Sequence, residues 1–468
     1  MSKRYEREDT RPATRLAPRA APRQRPATAE PPNLRELALE ITERVSDGAF
    51  CDALVGDTLD RHSLEPRDAA LLTRLAYGVQ AWRGRLDWTL APLCKRPLEE
   101  LDSALREALR LGLLQLLFLD RVPAHAAVST TVEVIKRRCG RGAGGLINAI
   151  LRRILREGER ALPDAEKDPI AHLAIRFSHP EWIVRRWRDE LGEEATLALL
   201  AANQEAAATT LRIGGDTPRE AVLEQLASEG IAARAGRFAP RALILEGPLA
   251  ALKGRAHSLD LVAQGEASQL VASLVAAKPG ERIADLCAAP GGKTLILAEA
   301  VGDSGVIFAT DRVRGGIRRV SNRGIRCTAR ADAAYPPLRD ADFDAVLVDA
   351  PCSGLGTLRG HPEIRWRRTP EDVAALAATQ ARILEGSAPL VKPGGRLIYA
   401  TCTLLAEENE AVIRAFRDRH PEFAPLDAAK LLPPEAAPLA DEQGCLRTSP
   451  GRDQLDGFFA TALIRRLH

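Results

Sequence analysis

The stretch that decides the fold is Asp285-Leu286-Cys287-Ala288-Ala289-Pro290-Gly291-Gly292-Lys293-Thr294, which lies between an apolar run and a helix-like run. Its small residues allow the backbone to approach a ligand closely, and the N-terminus of the following helix presents unpaired amides that suit an anionic group. Apolar strands and helix-like segments alternate after this loop. We therefore predict an α/β domain built on a parallel, doubly wound sheet.

Four apolar runs supply the predicted strands of this sheet, at residues 282–287, 305–311, 343–349 and 396–401. Asp311 and Asp349 end two of these strands, and Asp332 follows a possible further strand. Because the carboxyl ends of parallel strands meet at one edge, we expect the three carboxylates to lie along one ligand-binding crevice. Asp311 comes about 20 residues after the glycine-rich loop, where doubly wound folds bind ribose hydroxyls.

Two cysteines, Cys352 and Cys402, each come just after the end of an apolar strand. A single cysteine is usually a buried structural residue, but both of these belong to the predicted ligand-binding edge. Carbon 5 of cytosine is too poor a nucleophile to accept a methyl group directly, whereas addition of a thiolate at carbon 6 makes an enamine that is nucleophilic at carbon 5. A cysteine beside a methyl donor is what that reaction requires.

The segment Gly292-Lys293-Thr294 also matches the end of a phosphate-binding P-loop, and residues 345–349 resemble the acidic strand that holds magnesium in such proteins. However, the G-x-x-x-x-G-K-[ST] pattern requires a glycine where Cys287 stands. A P-loop nucleotidase would also leave both cysteines without a role. We therefore rank this interpretation last.

The chain before the α/β domain divides into three parts. Residues 1–32 combine proline and arginine without hydrophobic periodicity, which predicts a disordered basic tail. Residues 33–160 begin with an N-cap at Asn33 and predict an all-helical domain, with helix-like segments at 66–84, 98–119, 124–138 and 143–157. Residues 161–255 predict a small α+β region, with helices over 180–200 and 218–229 and strands over 210–213 and 242–245. The α/β domain then occupies residues 256–468.

Composition narrows the class of protein further. The 468 residues carry a formal net charge of +3, so overall charge does not indicate a nucleic-acid partner. Arginine clusters at 137–141, 152–156 and 312–330 could contact phosphates, with solvated helix faces as an equal alternative. The eight cysteines form no C-x-x-C pair, so we expect neither a metal site nor a disulfide framework, and we favour a reducing cytoplasm. The longest apolar stretch, around 111–119, is too short to span a membrane.

Taken together, these motifs resemble the RNA 5-methylcytosine methyltransferases of the NOL1/NOP2/Sun type. The resemblance rests on the loop 285–294 and on the motifs at 349–354, 361–366, 399–403 and 456–459. In addition, the helical region, with Gln115 and the segments 121–126 and 148–153, resembles a NusB-like RNA-binding domain. The resemblance therefore covers nearly the whole chain.

The resemblance implies a multidomain fold with an all-α NusB-like N-terminal domain, a small α+β region and a C-terminal Rossmann-like methyltransferase domain. It implies S-adenosylmethionine as methyl donor, no metal, and a cytosine of small-subunit (16S) ribosomal RNA as target. Chemistry on a stacked base requires extrusion of that base, so naked or partly assembled RNA is the expected substrate. We expect a monomer.

The resemblance also assigns roles to residues of this chain. Cys402 is the expected nucleophile, Cys352 assists release of the methylated product, and Asp349 lies between donor and base, where it favours protonation at ring nitrogen 3. Asp311 is expected to bind the ribose of the donor and Asp332 its adenine edge. The methionine moiety is expected on the loop Cys287, Ala288, Ala289, Pro290, Gly291, Gly292 and Lys293, with Lys293 near the base or the donor carboxylate.

Three features depart from the family pattern. The segment at residues 312–325 is short compared with the helix that the family usually has there, and it contains Gly315 and Gly316. Gly265 stands where an acid is usual, and Gly214 stands where asparagine is common. We expect the last two to loosen the approach to the site. The departures motivate a second hypothesis, an RNA-binding or antitermination protein with an inactive transferase domain.

Overall fold

The computed structural model describes residues 33–247, 249–252, 255, 256 and 258–467. The basic tail predicted for residues 1–32 lies outside this range. Within the described residues, no helix is both long enough and apolar enough to cross a membrane.

From residue 33 to residue 160, the chain folds into a bundle of six α-helices: α1 Leu34–Ser46, α2 Cys51–Arg61, α3 Pro66–Leu90, α4 Ser103–Phe118, α5 Ala124–Cys139 and α6 Arg141–Glu157. Asn33 caps α1 by accepting a hydrogen bond from the amide of Arg35. In α6, Ile147, Ile150, Leu151 and Ile154 are buried at helical spacing, which is why this helix packs by one face. The all-helical prediction is confirmed.

Two predicted boundaries in this bundle are wrong. The helix predicted over 98–119 begins only at Ser103, because the Asp102 side chain accepts a hydrogen bond from the amide of Ala104 and caps the helix there. Residues 98–100 instead form a short 3-10 turn. The helix predicted over 66–84 continues to Leu90 because its buried face does so.

The middle region contains α7 Pro169–Arg176, α8 Glu181–Leu191, α9 Glu193–Ala202, β1 Thr209–Ile213, α10 Arg219–Ser228, β2 Ala233–Ala235, β3 Ala242–Leu245 and β4 Leu261–Ala263. Its strands form an antiparallel sheet in the order β2-β3-β1-β4. The single helix predicted over 180–200 is two helices, because Gly192 adopts a φ of +82° that ends α8.

The C-terminal domain contains α11 Glu266–Ser273, β5 Arg282–Asp285, α12 Gly292–Val301, β6 Val306–Asp311, α13 Arg314–Ser321, β7 Cys327–Arg330, β8 Phe343–Asp349, α14 Pro370–Ser387, β9 Val391–Thr401, α15 Glu410–Arg419, β10 Phe423–Leu426, β11 Leu446–Arg447, α16 Pro450–Asp453 and β12 Phe459–Arg465. Helices cover both faces of its sheet. Ile283 faces the cluster that contains α11 and α12, while the next residue, Ala284, faces the cluster that contains α14 and α15.

The sheet of this domain has the strand order β10-β12-β9-β8-β5-β6-β7. The strands from β7 to β9 are parallel, but β12 runs antiparallel to both β9 and β10, and β11 pairs antiparallel with β12. The four strands predicted from the sequence, β5, β6, β8 and β9, are parallel as expected, and the antiparallel strands β10, β11 and β12 at one edge were not predicted. This edge is antiparallel because Phe459 of β12 pairs with Thr401 at the end of β9, so β12 starts there and runs back.

The three regions meet at the segment that follows β8. Leu355, Leu358 and Ile364 of this segment share a hydrophobic cluster with Trp187 of α8 and Leu199 of α9. The indole of Trp366 donates to the carbonyl of Gln80 in α3 at 2.7 Å. The helical bundle is thus anchored on the same loop that leaves the edge where β8 ends.

Candidate active site

The donor loop, residues 285–294, joins β5 to α12. Asp285 is buried, and its Oδ2 accepts a hydrogen bond from the Thr294 hydroxyl at 2.7 Å. Gly291 caps α12 with a φ of +102°, a conformation that L side chains rarely adopt. Burial raises the pKa of Asp285 to about 7, although the Thr294 hydroxyl opposes that shift. Both ends of the loop are therefore held by contacts within it.

Asp311, at the end of β6, ties the donor loop to the next strand. Its carboxylate accepts hydrogen bonds from the amides of Ala289 at 3.1 Å and Val313 at 2.7 Å. Asp332 follows β7, is exposed, and accepts from the amide of Ala334 at 3.0 Å. The further strand predicted before Asp332 is present as β7. Both carboxylates lie at the carboxyl edge of the sheet.

The thiol of Cys287 shows how these acids are arranged. Its pKa is raised well above the ordinary value, first by burial and then by the negative charges of Asp285, Asp349, Asp311 and Asp332. Four carboxylates thus surround one end of the donor loop. Such a cluster fits a ligand with hydroxyl donors, amino groups and a sulfonium charge, which S-adenosylmethionine carries.

Lys293, at the start of α12, pairs with Asp349 at the end of β8. Its Nζ is 2.6 Å from Oδ2 of Asp349 and 5.3 Å from the centre of the Phe458 ring. Burial, the largest single influence, lowers the pKa of Lys293, but the charge of Asp349, the hydrogen bond to Asp349 and the Cys402 sulfur together raise it above its ordinary value. The lysine therefore stays protonated and lies close to Cys402.

The two cysteines meet at the ends of the adjacent parallel strands β8 and β9. Their sulfur atoms are 3.3 Å apart, and the amide of Cys402 donates to the Cys352 sulfur, also at 3.3 Å. The hydrogen bond to Cys402 and burial raise the pKa of Cys352 well above its ordinary value. The fold thus brings into contact two cysteines that are 50 residues apart in the sequence.

A buried polar network holds both cysteine loops in place. Glu408 Oε1 accepts hydrogen bonds from the amide of Ser353 at 2.8 Å and from Gln380 at 3.0 Å. Asn409 accepts from the Thr401 hydroxyl at 2.5 Å and donates to the carbonyl of Thr403 at 3.1 Å. The sequence analysis missed this network. The signal in the sequence is a run of polar residues after Cys402. In the structure, Glu408 and Asn409 of this run are 0% exposed.

Three backbone segments cross beside Cys402 without room for a side chain. Gly356 donates to the carbonyl of Cys402 at 2.9 Å, and Gly457 donates to the carbonyl of Gly356 at 2.7 Å. A Cβ atom at Gly356 would lie 1.9 Å from the carbonyl oxygen of Gly457. The Asp-Gly-Phe-Phe motif at residues 456–459 therefore contributes a backbone contact to the site.

The departures from the family pattern have specific surroundings. A Cβ at Gly316 would lie 2.7 Å from the Ala289 side chain, so this glycine lets α13 approach the donor loop. A Cβ at Gly265 would lie 3.4 Å from a carboxylate oxygen of Asp456, and one at Gly214 would lie 2.1 Å from a carboxylate oxygen of Asp260. Glycine at position 214 thus avoids a clash with the Asp260 side chain, whereas a Cβ at position 265 would make only an ordinary van der Waals contact.

A mostly parallel sheet with an antiparallel edge, a donor loop after β5 and carboxylates at the following strand ends define an S-adenosylmethionine-dependent methyltransferase. The 16S rRNA methyltransferase RsmB/F family matches residues 272–464, the NusB family residues 32–156, and the RsmF/B-like ferredoxin-like domain residues 179–251. Ribosomal RNA small subunit methyltransferase B from Pseudomonas putida is 36% identical over 420 residues, which cover 86% of this chain and 92% of that protein. Its counterpart from Salmonella arizonae is 35% identical over 449 residues, covering 93% and 99%. The chain therefore belongs to the 16S rRNA methyltransferase RsmB/F family.

Solved structures give the same fold. The crystal structure of PH0851 matches 93% of this chain and 99% of its own, with a TM-score of 0.81 and 27% identity. The structure of NSun6 from Pyrococcus horikoshii with SFG matches 62% of this chain and 99% of its own, with a TM-score of 0.51. At 17% identity the second likeness shows the fold alone.

The family membership confirms the predicted fold class and the general activity. The chain is an S-adenosylmethionine-dependent methyltransferase of small-subunit ribosomal RNA, with a NusB-like helical domain and a ferredoxin-like domain before the transferase domain. A P-loop nucleotidase is not the class of this protein.

Proposed function

We propose that this chain transfers a methyl group to carbon 5 of a cytosine in small-subunit ribosomal RNA through a covalent bond between Cys402 and the base. The observation that carries the proposal is the contact of two thiols, 3.3 Å apart, at the ends of β8 and β9. A reaction that both forms and resolves a covalent adduct has a use for two such groups. The protonated Lys293 and the Asp349 carboxylate lie beside them.

Addition to the base is the task of Cys402. Its sulfur bonds to carbon 6, and the electron pair of the 5,6 double bond moves to carbon 5, which then takes the methyl group. S-adenosylmethionine supplies that methyl as an electrophile. We assign the Asp349 carboxylate to ring nitrogen 3, where it accepts a hydrogen bond from a proton taken up from water and thereby stabilises the protonated ring, whose carbon 6 is more electrophilic. Lys293 holds this carboxylate through its 2.6 Å contact.

Release is the task of Cys352. Cys352, as a thiolate, takes the proton from carbon 5; the electron pair of that bond restores the 5,6 double bond, and the sulfur–carbon 6 bond breaks so that Cys402 leaves as a thiolate. The hydrogen bond to Cys402, burial and the charge of Cys402 raise the pKa of Cys352 in the free enzyme. Bonding of Cys402 to the base removes the negative charge of Cys402, so adduct formation favours ionisation of Cys352.

Binding of the donor is assigned to the other half of the edge. The loop 287–293 would hold the methionine moiety, Asp311 the ribose and Asp332 the adenine edge. The carboxylates around Cys287 support this assignment. The exposure of Asp332 supports a position at the rim of the proposed donor site.

The RNA is expected to present an unpaired or locally open cytosine, since both thiols are partly buried and chemistry on a base requires its extrusion from the stack. We propose naked or partly assembled small-subunit RNA as substrate, a monomeric enzyme and a cytoplasmic location.

The test is methyl transfer from radiolabelled S-adenosylmethionine to unmodified small-subunit ribosomal RNA. Cys402→Ala is expected to lower the rate by at least about a thousandfold, because the residue that bonds to the base is absent. Cys352→Ala is expected to accumulate a protein–RNA adduct that survives denaturing electrophoresis. Cys139→Ala, at an exposed cysteine of α5, is the matched control and should leave the rate unchanged.

Full activity of Cys402→Ala would overturn the covalent mechanism. Bisulfite sequencing of the methylated RNA checks the target atom, because 5-methylcytosine resists the conversion that unmodified cytosine undergoes. Calorimetry with the donor alone separates the second hypothesis, since an inactive transferase domain is expected to bind none.

A further inference from the structure

A group of three potential metal ligands lies where the helical bundle meets the transferase domain. Asp52 is in the first turn of α2, and His361 and Glu363 lie in the segment that anchors the bundle, beside the 3-10 helix Pro362–Trp366. Each residue offers one ligand atom, and these three atoms lie within 4.8 Å of one another. The group is separate from the cysteines and the donor loop.

Glu363 is a buried carboxylate with an unused oxygen. Its side chain is 1% exposed, and Oε1 accepts a hydrogen bond from the amide of Cys51 at 3.1 Å. Oε2 is buried and has no hydrogen-bond partner. Among the described residues, no ion pair includes Glu363. A buried charge without a partner is costly unless something neutralises it, and a cation is such a partner.

His361 has a similar unused atom. Its Nδ1 is buried without a hydrogen-bond partner and lies 3.9 Å from Oδ1 of Asp52, too far for a hydrogen bond. The ring is held by the edge of Phe50, with centroids 6.2 Å apart at 84°. Two atoms that can donate electron pairs, one from an imidazole and one from a carboxylate, are thus left unpaired in one small space.

Two arginines nearby direct their hydrogen bonds to backbone carbonyls, although the charge of Arg365 also attracts Glu363. Arg367 donates to the backbone carbonyls of Val45 and Ala49. Arg365 is fully buried and donates to the carbonyls of Ser178, Asn203 and Leu358. Neither guanidinium forms an ion pair with the cluster among the described residues, so the space between the three ligands is not filled by an arginine.

We propose that Asp52, His361 and Glu363 bind a divalent transition-metal ion, for which Zn²⁺ is the appropriate probe. One imidazole and two carboxylates form a ligand set that Zn²⁺ accepts, and the exposed Asp52 leaves room for a water as fourth ligand. The Cys51 amide orients the Glu363 carboxylate, as partners of metal ligands commonly do. The ion links α2 to the segment that follows Cys352.

This ion has a structural task in the proposal. Arg368, seven residues after His361, donates to the carbonyl of Ser353 at 2.9 Å, next to Cys352. A metal that clamps residues 361–363 to α2 therefore steadies the loop that carries Cys352. The cluster takes no part in the chemistry at the cysteines.

The experiment is calorimetric titration of the full-length, reduced protein with Zn²⁺ alone. One equivalent is expected to bind, and Glu363→Gln and Asp52→Asn are each expected to weaken binding by at least about tenfold, because a charged ligand is lost. Asp52 is exposed, so Asp52→Asn keeps the test valid even where a buried change impairs folding. Zn²⁺ should raise the thermal midpoint of the parent protein but not that of Asp52→Asn.

Two controls identify the ligands. Asp57→Asn, at an exposed acid on the same helix, should bind as the parent does. The double variant Cys352→Ala with Cys402→Ala should also retain binding, and Co²⁺ in place of Zn²⁺ should show no thiolate charge-transfer absorption. The proposal would be overturned if Zn²⁺ binding did not saturate, or if Asp52→Asn and Glu363→Gln bound Zn²⁺ as tightly as the parent protein does. Loss of binding in the double cysteine variant would also overturn it.

Discussion

The two halves of the sheet's carboxyl edge are held by different kinds of contact. In the donor half, at the ends of β5, β6 and β7, the main hydrogen bonds join residues 9 and 22 positions apart. In the cysteine half, at the ends of β8 and β9, they join residues 50 and 55 positions apart. The donor half is thus built by its own loops, whereas the cysteine half depends on buried groups brought from a distance.

This difference predicts how each half responds to substitution. A change in the donor half is expected to alter binding of the donor or the local charge balance and to leave the cysteines in place. A change in the cysteine half is expected to displace both thiols together, because Glu408 and Asn409 brace the two loops as one unit. The following predictions test that contrast in order of decreasing effect.

Gly356→Ala is expected to have the largest effect. The added Cβ would meet the carbonyl oxygen of Gly457 at 1.9 Å, and neither backbone segment can move without displacing Cys402. We expect a loss of at least about 3 kcal/mol in the free energy of unfolding and no methylation. Urea denaturation and the methyl-transfer assay measure the two effects. Gly360→Ala, whose Cβ would have its nearest neighbour at 3.8 Å, should have little effect; equal behaviour of the two variants would contradict the crossing described above.

Asp285 predicts a pH dependence of stability in the donor half. Burial raises its pKa from 3.8 to about 7, so the folded state binds the proton more tightly than the unfolded state does. The contribution of Asp285 is therefore favourable at low pH and is lost as the pH rises from about 4 to about 7. Relative to Asp285→Asn, the parent protein should lose about 4 kcal/mol across this window, since one pKa unit corresponds to about 1.4 kcal/mol. Urea denaturation at a series of pH values measures the difference, and Asp303→Asn, at an exposed turn, should follow the parent.

Glu408→Ala is expected to impair catalysis more than binding. Without the Glu408 carboxylate, the amide of Ser353 loses its acceptor, and the Cys352 loop is no longer fixed against the Cys402 loop. We expect kcat to fall by about 10- to 100-fold, with donor affinity unchanged, because a hydrogen bond to a charged group contributes roughly 1.5–3 kcal/mol. Glu408→Gln should restore part of the rate by retaining one acceptor. Glu407→Ala is the neighbouring control, and an equal loss there would remove the special role of Glu408.

Asp311→Asn is expected to have the smallest effect. Asparagine has a single acceptor oxygen, so it can accept from the amide of Ala289 or from that of Val313 but not from both, and the site also loses one negative charge. We expect the dissociation constant for S-adenosylmethionine to rise about tenfold, with no effect on adduct formation at saturating donor. Calorimetry measures the affinity, and the exposed Asp340→Asn serves as control. An unchanged affinity would show that Asp311 does not contact the donor.

The contrast between the two halves also explains what could be predicted from the sequence. The loop 285–294, the strands that end in Asp311 and Asp349, and the helical character of α1 to α6 follow from local patterns, and the structure contains them. The antiparallel edge of the sheet was missed and the single helix over 180–200 was wrong, since the direction of β12 depends on strand pairing and the break at Gly192 on one backbone angle. The roles of Cys402 and Cys352 came from the family resemblance and stay predictions.

By itself, the sequence determined the class of this protein, because a donor loop and strand-end residues are read from residue type and spacing within short segments. Only the tertiary structure decided how those segments combine: the contact of Cys352 with Cys402, the buried support from Glu408, the glycine crossing at Gly356, and the cluster of Asp52, His361 and Glu363. The physical reason is that each of these features joins residues that share no local pattern. Their proximity is set by strand order and domain packing.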